Sequence, residues 1–123
     1  MTIIEAINEV DALLPGNGVP ETDKRRWLSR FDGSIKNTVI DIHEGGDDIV
    51  FLPYTDDTAA DTVLLIPHPY DDAYVFLLEA MVHYVNGEMD RYNNAMSQHL
   101  NQFEEYKKWY NRTHMPKGTR WKL

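Results

Sequence analysis

The sequence predicts a mainly α protein: a helical bundle with one very long C-terminal helix, continuous or kinked, and a small two-strand β element in the middle. Apolar residues recur every three or four positions from residue 69 to 115, which is the spacing of one helix face. Two earlier stretches carry helix start signals, and two short β-branched runs separate them from the long stretch. We expect one helical domain over residues 1–115 and a flexible basic tail over residues 116–123.

The composition is that of an ordinary globular chain. Its 123 residues are 42% hydrophobic and 26% charged, which suits one domain with a modest core. The absence of cysteine excludes disulfides, thiolate metal sites and a cysteine nucleophile. Because the N-terminal stretch is acidic and no apolar run approaches membrane-spanning length, we expect neither a secretory signal nor membrane association.

The net charge of −8 (12 basic minus 20 acidic residues) is unevenly distributed along the chain. Residues 41–72 hold nine acids and neither lysine nor arginine, whereas residues 111–123 hold four bases and no acid. This asymmetry suggests head-to-tail complementarity between copies, or an acidic partner for the tail. The alternative interpretation is a solvated loop and a frayed terminus.

The first helix is predicted over residues 3–14. Thr2 and Glu5 match a capping box, in which the threonine hydroxyl accepts from the glutamate amide and the glutamate carboxylate accepts from the threonine amide. A Pro-Gly-Asn-Gly sequence then ends the helix.

The second helix is predicted to begin after Pro20, which suits a first turn, and to carry its apolar face as far as Ile42. Gly33 lies within this pattern and predicts a kink or a break. The glycine pair 45–46 closes the helix. The basic cluster at residues 24–26 suggests ion pairs with nearby acids or with a neighbour's acidic loop, and phosphate binding is the alternative.

The segment between residues 47 and 69 differs in character from the rest. Residues 49–52 and 63–66 are short apolar runs rich in β-branched side chains, so we predict two strands in a hairpin with a long loop. We expect that acidic loop to be mobile or to face a partner. Pro67 and Pro69 then impose extended backbone before the last helix.

The stretch from residue 69 to 115 reads as one helix or as two helices joined end to end. A single helix would be about 60 Å long, which exceeds what a small domain needs for its own core. Gly87 is the predicted hinge. Because the rest of the chain cannot cover such a length, some of Tyr92, Phe103, Trp109 and Tyr110 should be exposed in a monomer. Self-association is expected at four residues of this stripe: Tyr92, Met96, Phe103 and Trp109.

No pattern in the chain matches a catalytic, cofactor or metal motif. His43 and Glu44 lie among acids, but their spacing fits neither a calcium loop nor a zinc-binding helix. A helix end that runs into an acidic loop is the better interpretation. Adjacent acids such as Asp71 and Asp72 point apart, and no glycine-rich phosphate loop is present. We therefore expect a protein without catalysis, cofactor or metal.

Four segments together resemble one family: IIEAINEVDALLPG, KRRWLSRFDGSI, PYDDAYVFLLEAMVHYVNGEMDRYNN and YNRTHMP. They are similar to small proteins encoded among the head and neck genes of tailed bacteriophages and prophages of Gram-positive hosts. The family is that of the helical head-tail connectors, also called head-completion adaptors. The resemblance covers most of the chain, and its motifs are a helical pattern and not an active site.

The resemblance implies a non-enzymatic virion structural protein at the head-tail junction, present in the host cytoplasm during assembly. About a dozen copies would form a ring beneath the portal protein and extend the DNA channel, through which DNA passes without sequence-specific binding. The loop 47–62 would face a neighbouring copy or the next neck or tail-completion protein. Portal contact would fall in the C-terminal segment, at Tyr110, Arg112, Lys117, Arg120, Trp121 and Lys122.

Two alternatives to the connector stay open. One is another phage head or neck assembly factor, such as a scaffold-associated or minor capsid protein. The other is a small regulatory protein that binds nucleic acid through its basic tail.

Overall fold

Helices dominate the computed structural model, which describes residues 1–118. The four α-helices of this part of the chain are α1 (Ile3–Leu13), α2 (Glu21–Ile35), α3 (Asp72–Val85) and α4 (Met89–Thr113). A π-helical turn, Lys36–Ile40, continues α2, and a 3-10 turn spans Gly46–Asp48. Residues 49–71, called the central loop below, connect this turn to α3. The predicted mainly helical class is confirmed.

The capping box of α1 forms as the sequence predicts. The Thr2 hydroxyl accepts from the Glu5 amide at 3.2 Å, and the Glu5 carboxylate accepts from the Thr2 amide at 2.9 Å. Both contacts satisfy amides that the first helical turn leaves without an intrahelical partner. The helix then buries Ile3, Ala6, Ile7 and Val10 on one face.

Gly33 does not interrupt α2, which is continuous from Glu21 to Ile35, so a break at this position is not found. The Phe51 ring lies 3.4 Å from the place where a Cβ on Gly33 would stand, so the glycine accommodates the central loop. The helix departs from α geometry later, where Lys36–Ile40 widens into the π-helical turn. The chain then turns at Gly45, whose φ of +82° lies in the left-handed region that glycine adopts without strain.

The predicted two-strand β element is wrong. Residues 1–118 contain no strand, and their β pairing is limited to two isolated antiparallel bridges, Thr2 with Val63 and His43 with Pro116. The physical reason lies in the partners of the second apolar run. The Leu64 amide donates to the Met1 carbonyl at 2.9 Å, and the two amides after it donate to side chains of α2 and α3. The first run therefore has no strand to pair with.

The predicted 60 Å helix is also wrong, because the chain reverses at Gly87. Gly87 has a φ of +75°, and α3 and α4 pack against each other as an antiparallel hairpin. Near the turn, the rings of Tyr84 and Tyr92 lie 5.5 Å apart. At the far end, His99 contacts the start of α3. The predicted position of the break at Gly87 is confirmed, but the break is a full reversal of the chain.

The hydrophobic core lies between the α3–α4 hairpin, the first two helices and the inner side of the central loop. Leu64 and Ile66 enter it from that loop as single buried side chains. The largest fully buried hydrophobic side chains come from all these segments: Ile3, Val10, Leu28, Ile35, Ile66, Tyr74, Leu78, Val82 and Tyr106.

Candidate interaction surface

Asp32 is the centre of a buried hydrogen-bond network that fixes the central loop. Its Oδ2 accepts from the Tyr54 hydroxyl at 2.5 Å and from the Leu65 amide at 3.1 Å. Its Oδ1 accepts from the Tyr74 hydroxyl at 2.6 Å, and that hydroxyl accepts from the Ile66 amide at 2.7 Å. Burial raises the pKa of Asp32, and the hydrogen bonds from the two tyrosines and the amide limit the rise.

Arg25 is a second anchor of the central loop. Its buried guanidinium donates to the carbonyls of Thr55 at 2.8 Å and Thr58 at 2.7 Å, while its Nε donates to Glu21 at 2.9 Å. These bonds hold the tip of the loop against the first turn of α2. The loop is therefore attached to the helices at both its tip and its second apolar run.

The basic cluster at residues 24–26 serves the fold. The predicted ion pairs with Glu21 and Asp23 are confirmed, since Arg25 pairs with Glu21 at 2.9 Å and Arg26 with Asp23 at 3.2 Å. Lys24 is buried, and its Nζ donates to Asp11 at 2.6 Å, to Asn17 at 3.1 Å and to the Val19 carbonyl at 2.9 Å. These contacts close the turn between α1 and α2. Since Arg25 is also buried, two of the three cations in the cluster face the protein interior.

The outer side of the central loop exposes apolar side chains among acids. Val50 is 81% exposed, Leu52 74% and Val63 69%. A groove of about 400 Å³ runs between residues 50–54 and 58–65. Large exposed apolar surface rimmed by polar residues is typical of protein interfaces. We call this surface the loop face, formed by Val50, Leu52 and Val63 with the exposed acids Asp48, Asp57 and Asp61.

A C-terminal strap, residues 114–117, docks beside the 3-10 turn at the beginning of the central loop. The Glu44 amide donates to the Met115 carbonyl at 2.8 Å, and the Lys117 Nζ lies 3.0 Å from the Asp47 carboxylate. The chain therefore stays attached to the body beyond residue 115, where the sequence places the start of a flexible tail. The acidic segment and the basic C-terminal segment therefore make one ion pair within the same chain, between Asp47 and Lys117.

The expected portal-contact residues fall into three groups. Tyr110 is only 5% exposed and packs between the rings of His43 at 4.9 Å and His114 at 3.8 Å, so this side chain offers little surface to a partner. Arg112 and Lys117 are exposed at the surface. The remaining three lie outside the described residues: Arg120, Trp121 and Lys122.

The expected self-association residues are partly covered by their own chain. Phe103 packs on Phe31 at 5.2 Å, and Trp109 packs on Tyr70 at 5.9 Å. Tyr92 and Met96 are half-buried. Because the hairpin folds the stripe inward, the predicted surplus of exposed helix does not exist, and self-association through these four side chains stays a prediction without that support.

The histidine that follows the π-helical turn lies in a structural position. His43 is buried, and its Nε2 lies 2.9 Å from the Asn111 side-chain oxygen. Among the residues that the structure describes, no group of three histidine or acidic side chains has a metal-binding arrangement. Within the same part of the chain, no helix has both the length and the apolar character needed to cross a membrane.

Comparison of the chain with family models, with curated proteins and with solved structures found no match.

His99 gives a pH-dependent stability prediction. It is buried, and its Nδ1 donates to the Ala73 carbonyl at 2.8 Å. Burial lowers the pKa of His99, and this hydrogen bond opposes the shift. The unfolded chain therefore binds a proton at this side chain at pH values where the folded chain does not, so acidification favours unfolding.

We expect the free energy of unfolding to fall as the pH drops below about 6.5, by at most about 1.4 kcal/mol per pH unit from this group. Urea unfolding between pH 7.5 and 5.5 measures it. His99→Gln keeps a donor for the carbonyl but does not titrate, so its pH slope should be shallower. An equal slope in both proteins would contradict the prediction. Asp32 acts with the opposite sign, because its raised pKa lets the folded chain bind the proton first.

Asp32 is the residue that sequence reasoning missed. It lies four positions after Leu28 and three before Ile35, on the buried face of α2. An acid at such a position needs internal donors, since a buried carboxylate without them is costly. That pattern could have indicated a buried network, but the donors come from residues 22, 33 and 42 positions away.

Proposed function

We propose that this chain is a structural adaptor of a tailed bacteriophage or prophage. It acts as a head-tail connector, whose copies form a ring on the portal protein and extend the DNA channel. The proposal includes no catalytic step and no cofactor. It places the protein in the virion at the head-tail junction, after assembly in the host cytoplasm.

The loop face is the observation that carries this proposal. Three large apolar side chains are more than two-thirds exposed on a small domain whose central loop is anchored by buried bonds. A fixed apolar surface of this kind suits a protein that joins others. The family resemblance names what it joins, and the net charge of −8 suits a channel through which DNA slides.

The nucleic-acid-binding alternative has less support. Lys24 and Arg25 make internal hydrogen bonds, so they are not available to phosphates. At the C-terminal end, Lys117 is paired with Asp47, and the net charge of −8 opposes binding of the chain to a nucleic acid.

Binding to the purified cognate portal tests the proposal. We expect the wild-type chain to co-sediment with the portal as a ring, and we expect it in purified virions by mass spectrometry. Arg112→Glu, at the exposed C-terminal end of α4, should weaken portal binding about tenfold. Arg91→Glu is the matched control, because it reverses an exposed arginine at the opposite end of the same helix.

Two results would count against the connector. One is failure of the wild-type chain to bind any portal assembly, together with its absence from virions. The other is tight, salt-dependent binding to DNA, which would favour the regulatory alternative.

A further inference from the structure

The loop face has unused backbone as well as exposed side chains. Among the described residues, Val50, Phe51 and Leu52 make no backbone–backbone hydrogen bond, although Ile49 before them has extended geometry. A loop segment whose amides and carbonyls have no backbone partner is a site at which another chain can add a strand. Residues 50–52 therefore have the composition of a strand but no strand partner among the described residues.

The charges of the loop face define the chemistry of what it binds. No cation of residues 1–118 lies within ion-pair distance of Asp48, Asp57 or Asp61. In that part of the chain the neighbouring Asp47 is paired with Lys117. An occupant that is both apolar and cationic would cover the exposed side chains and neutralise the acids.

One segment of this chain has that chemistry. Residues 120–123 read Arg-Trp-Lys-Leu, so cationic and apolar side chains alternate. An added strand sends alternate side chains to opposite sides, which would set Trp121 and Leu123 on the apolar surface and the two cations towards the acidic rim. No acid occurs after Glu105, so nothing in this segment opposes the fit.

We propose that residues 119–123 of one copy bind the loop face of the next copy, as a strand added along residues 49–52. The inference rests on the proposed function for the presence of neighbouring copies. A contact between two different surfaces of the same chain is heterologous, and repetition of such a contact gives a ring when the rotation between copies closes. Every copy would then give one C-terminal segment and receive one.

The local direction of the chain favours a neighbour over the segment's own body. His43 pairs with Pro116 in an antiparallel bridge, and the Lys117 amide donates to the Ile42 carbonyl at 3.0 Å. At this point the chain therefore runs towards residues that precede His43, and not towards Ile49. A second copy presents the loop face without this constraint.

Disulfide trapping tests the proposal in the full chain, which has no cysteine of its own. Val50→Cys combined with Leu123→Cys should give a ladder of covalently linked copies on a non-reducing gel, both alone at high concentration and on the portal. Leu100→Cys combined with Leu123→Cys is the matched control, because Leu100 is an exposed leucine on α4, away from the loop face. It should give no ladder.

Charge reversal gives a second measurement. Arg120→Glu with Lys122→Glu should reduce ladder formation about tenfold, and adding Asp57→Lys with Asp61→Lys should restore most of it. Asp57 and Asp61 are exposed, and Arg120 and Lys122 lie outside the described residues. Circular dichroism verifies that the variants fold.

The other outcomes overturn either the inference or the proposed function. A closed monomer without a ladder would show that the segment binds its own body. Absence of any disulfide, or a ladder unaffected by charge reversal, would show that it binds elsewhere. If the portal-bound ring forms without the disulfide, the inference fails and the connector function stands. If the ladder forms but the portal is not bound, the proposed function fails instead.

Discussion

Asp32→Ala should lower the free energy of unfolding by about 3–5 kcal/mol, the largest effect expected for a single side chain here. The substitution removes the acceptor of three buried donors: the hydroxyls of Tyr54 and Tyr74 and the amide of Leu65. Each buried donor without a partner costs about 1–3 kcal/mol. The desolvation of the carboxylate itself, which raises its pKa, offsets part of this loss.

Urea unfolding followed by circular dichroism measures the change at pH 7.5. Asp61→Ala is the matched control, because it removes an exposed acid from the central loop that Asp32 anchors and should change stability by less than about 0.5 kcal/mol. Tyr54→Phe removes one donor, and a double-mutant cycle with Asp32→Ala should show coupling of about 1 kcal/mol or more. Equal stability of wild type and Asp32→Ala would contradict the network described above.

Loss of the network should also release the loop face. The central loop is joined to α2 and α3 through Asp32, so its proteolysis should accelerate in Asp32→Ala before global unfolding. Rates of cleavage within residues 49–66 measure this local effect. They are compared between wild type and Asp32→Ala at urea concentrations equally far below the unfolding midpoint of each protein.

Gly46→Ala should destabilise the fold by about 2–3 kcal/mol. A Cβ at Gly46 would stand 2.1 Å from the carbonyl oxygen of Ile40 and 2.8 Å from its carbon. Both are backbone atoms at the end of the π-helical turn, so the 3-10 turn must move as a unit. The Lys36 Nζ donates to the Gly46 carbonyl at 3.0 Å, and this contact would move with it.

Gly45→Ala is the informative comparison for Gly46→Ala. Gly45 has a φ of +82° but no atom within 4 Å of its Cβ position, so only the left-handed backbone opposes a side chain there, by about 1 kcal/mol. We expect Gly46→Ala to be the more destabilised protein in urea. The reverse order would show that the close approach to Ile40 is relieved easily.

The same displacement should loosen the C-terminal strap. The strap accepts from the Glu44 amide through Met115 and donates to the Ile42 carbonyl through Lys117. Both partners lie within four residues of Gly46. Hydrogen exchange at the amides of Glu44 and Lys117 should therefore be faster in Gly46→Ala than in wild type, while the amides of α1 stay protected.

The sequence predicts the helices well because their determinants are local. The capping box at Thr2 and Glu5 needs residues three positions apart, and the buried face of α1 needs a repeat of three or four. The break at Gly87 follows from a backbone conformation that glycine adopts without strain. For these features the bonds that form the structure join residues close in the chain.

The errors concern partners that are distant in the chain. The direction of α4 after Gly87 depends on packing against α3. The periodicity of apolar residues is the same whether two helices continue in line or fold back on each other. The aromatic stripe therefore indicated a surface for other copies, whereas the hairpin turns much of it towards its own core. Tyr110, one of the four aromatic side chains of which some are expected to be exposed, is buried for the same reason.

The sequence by itself determined the helical class, the start of α1, the position of the hairpin turn and the alternation of charge and apolar residues at 120–123. Only the tertiary structure decided that residues 49–52 lack a strand partner and that Asp32 organises the central loop. The reason is that strand pairing and buried hydrogen bonds join residues tens of positions apart. Asp32 and Tyr74, separated by 42 residues, meet because α2 packs against α3.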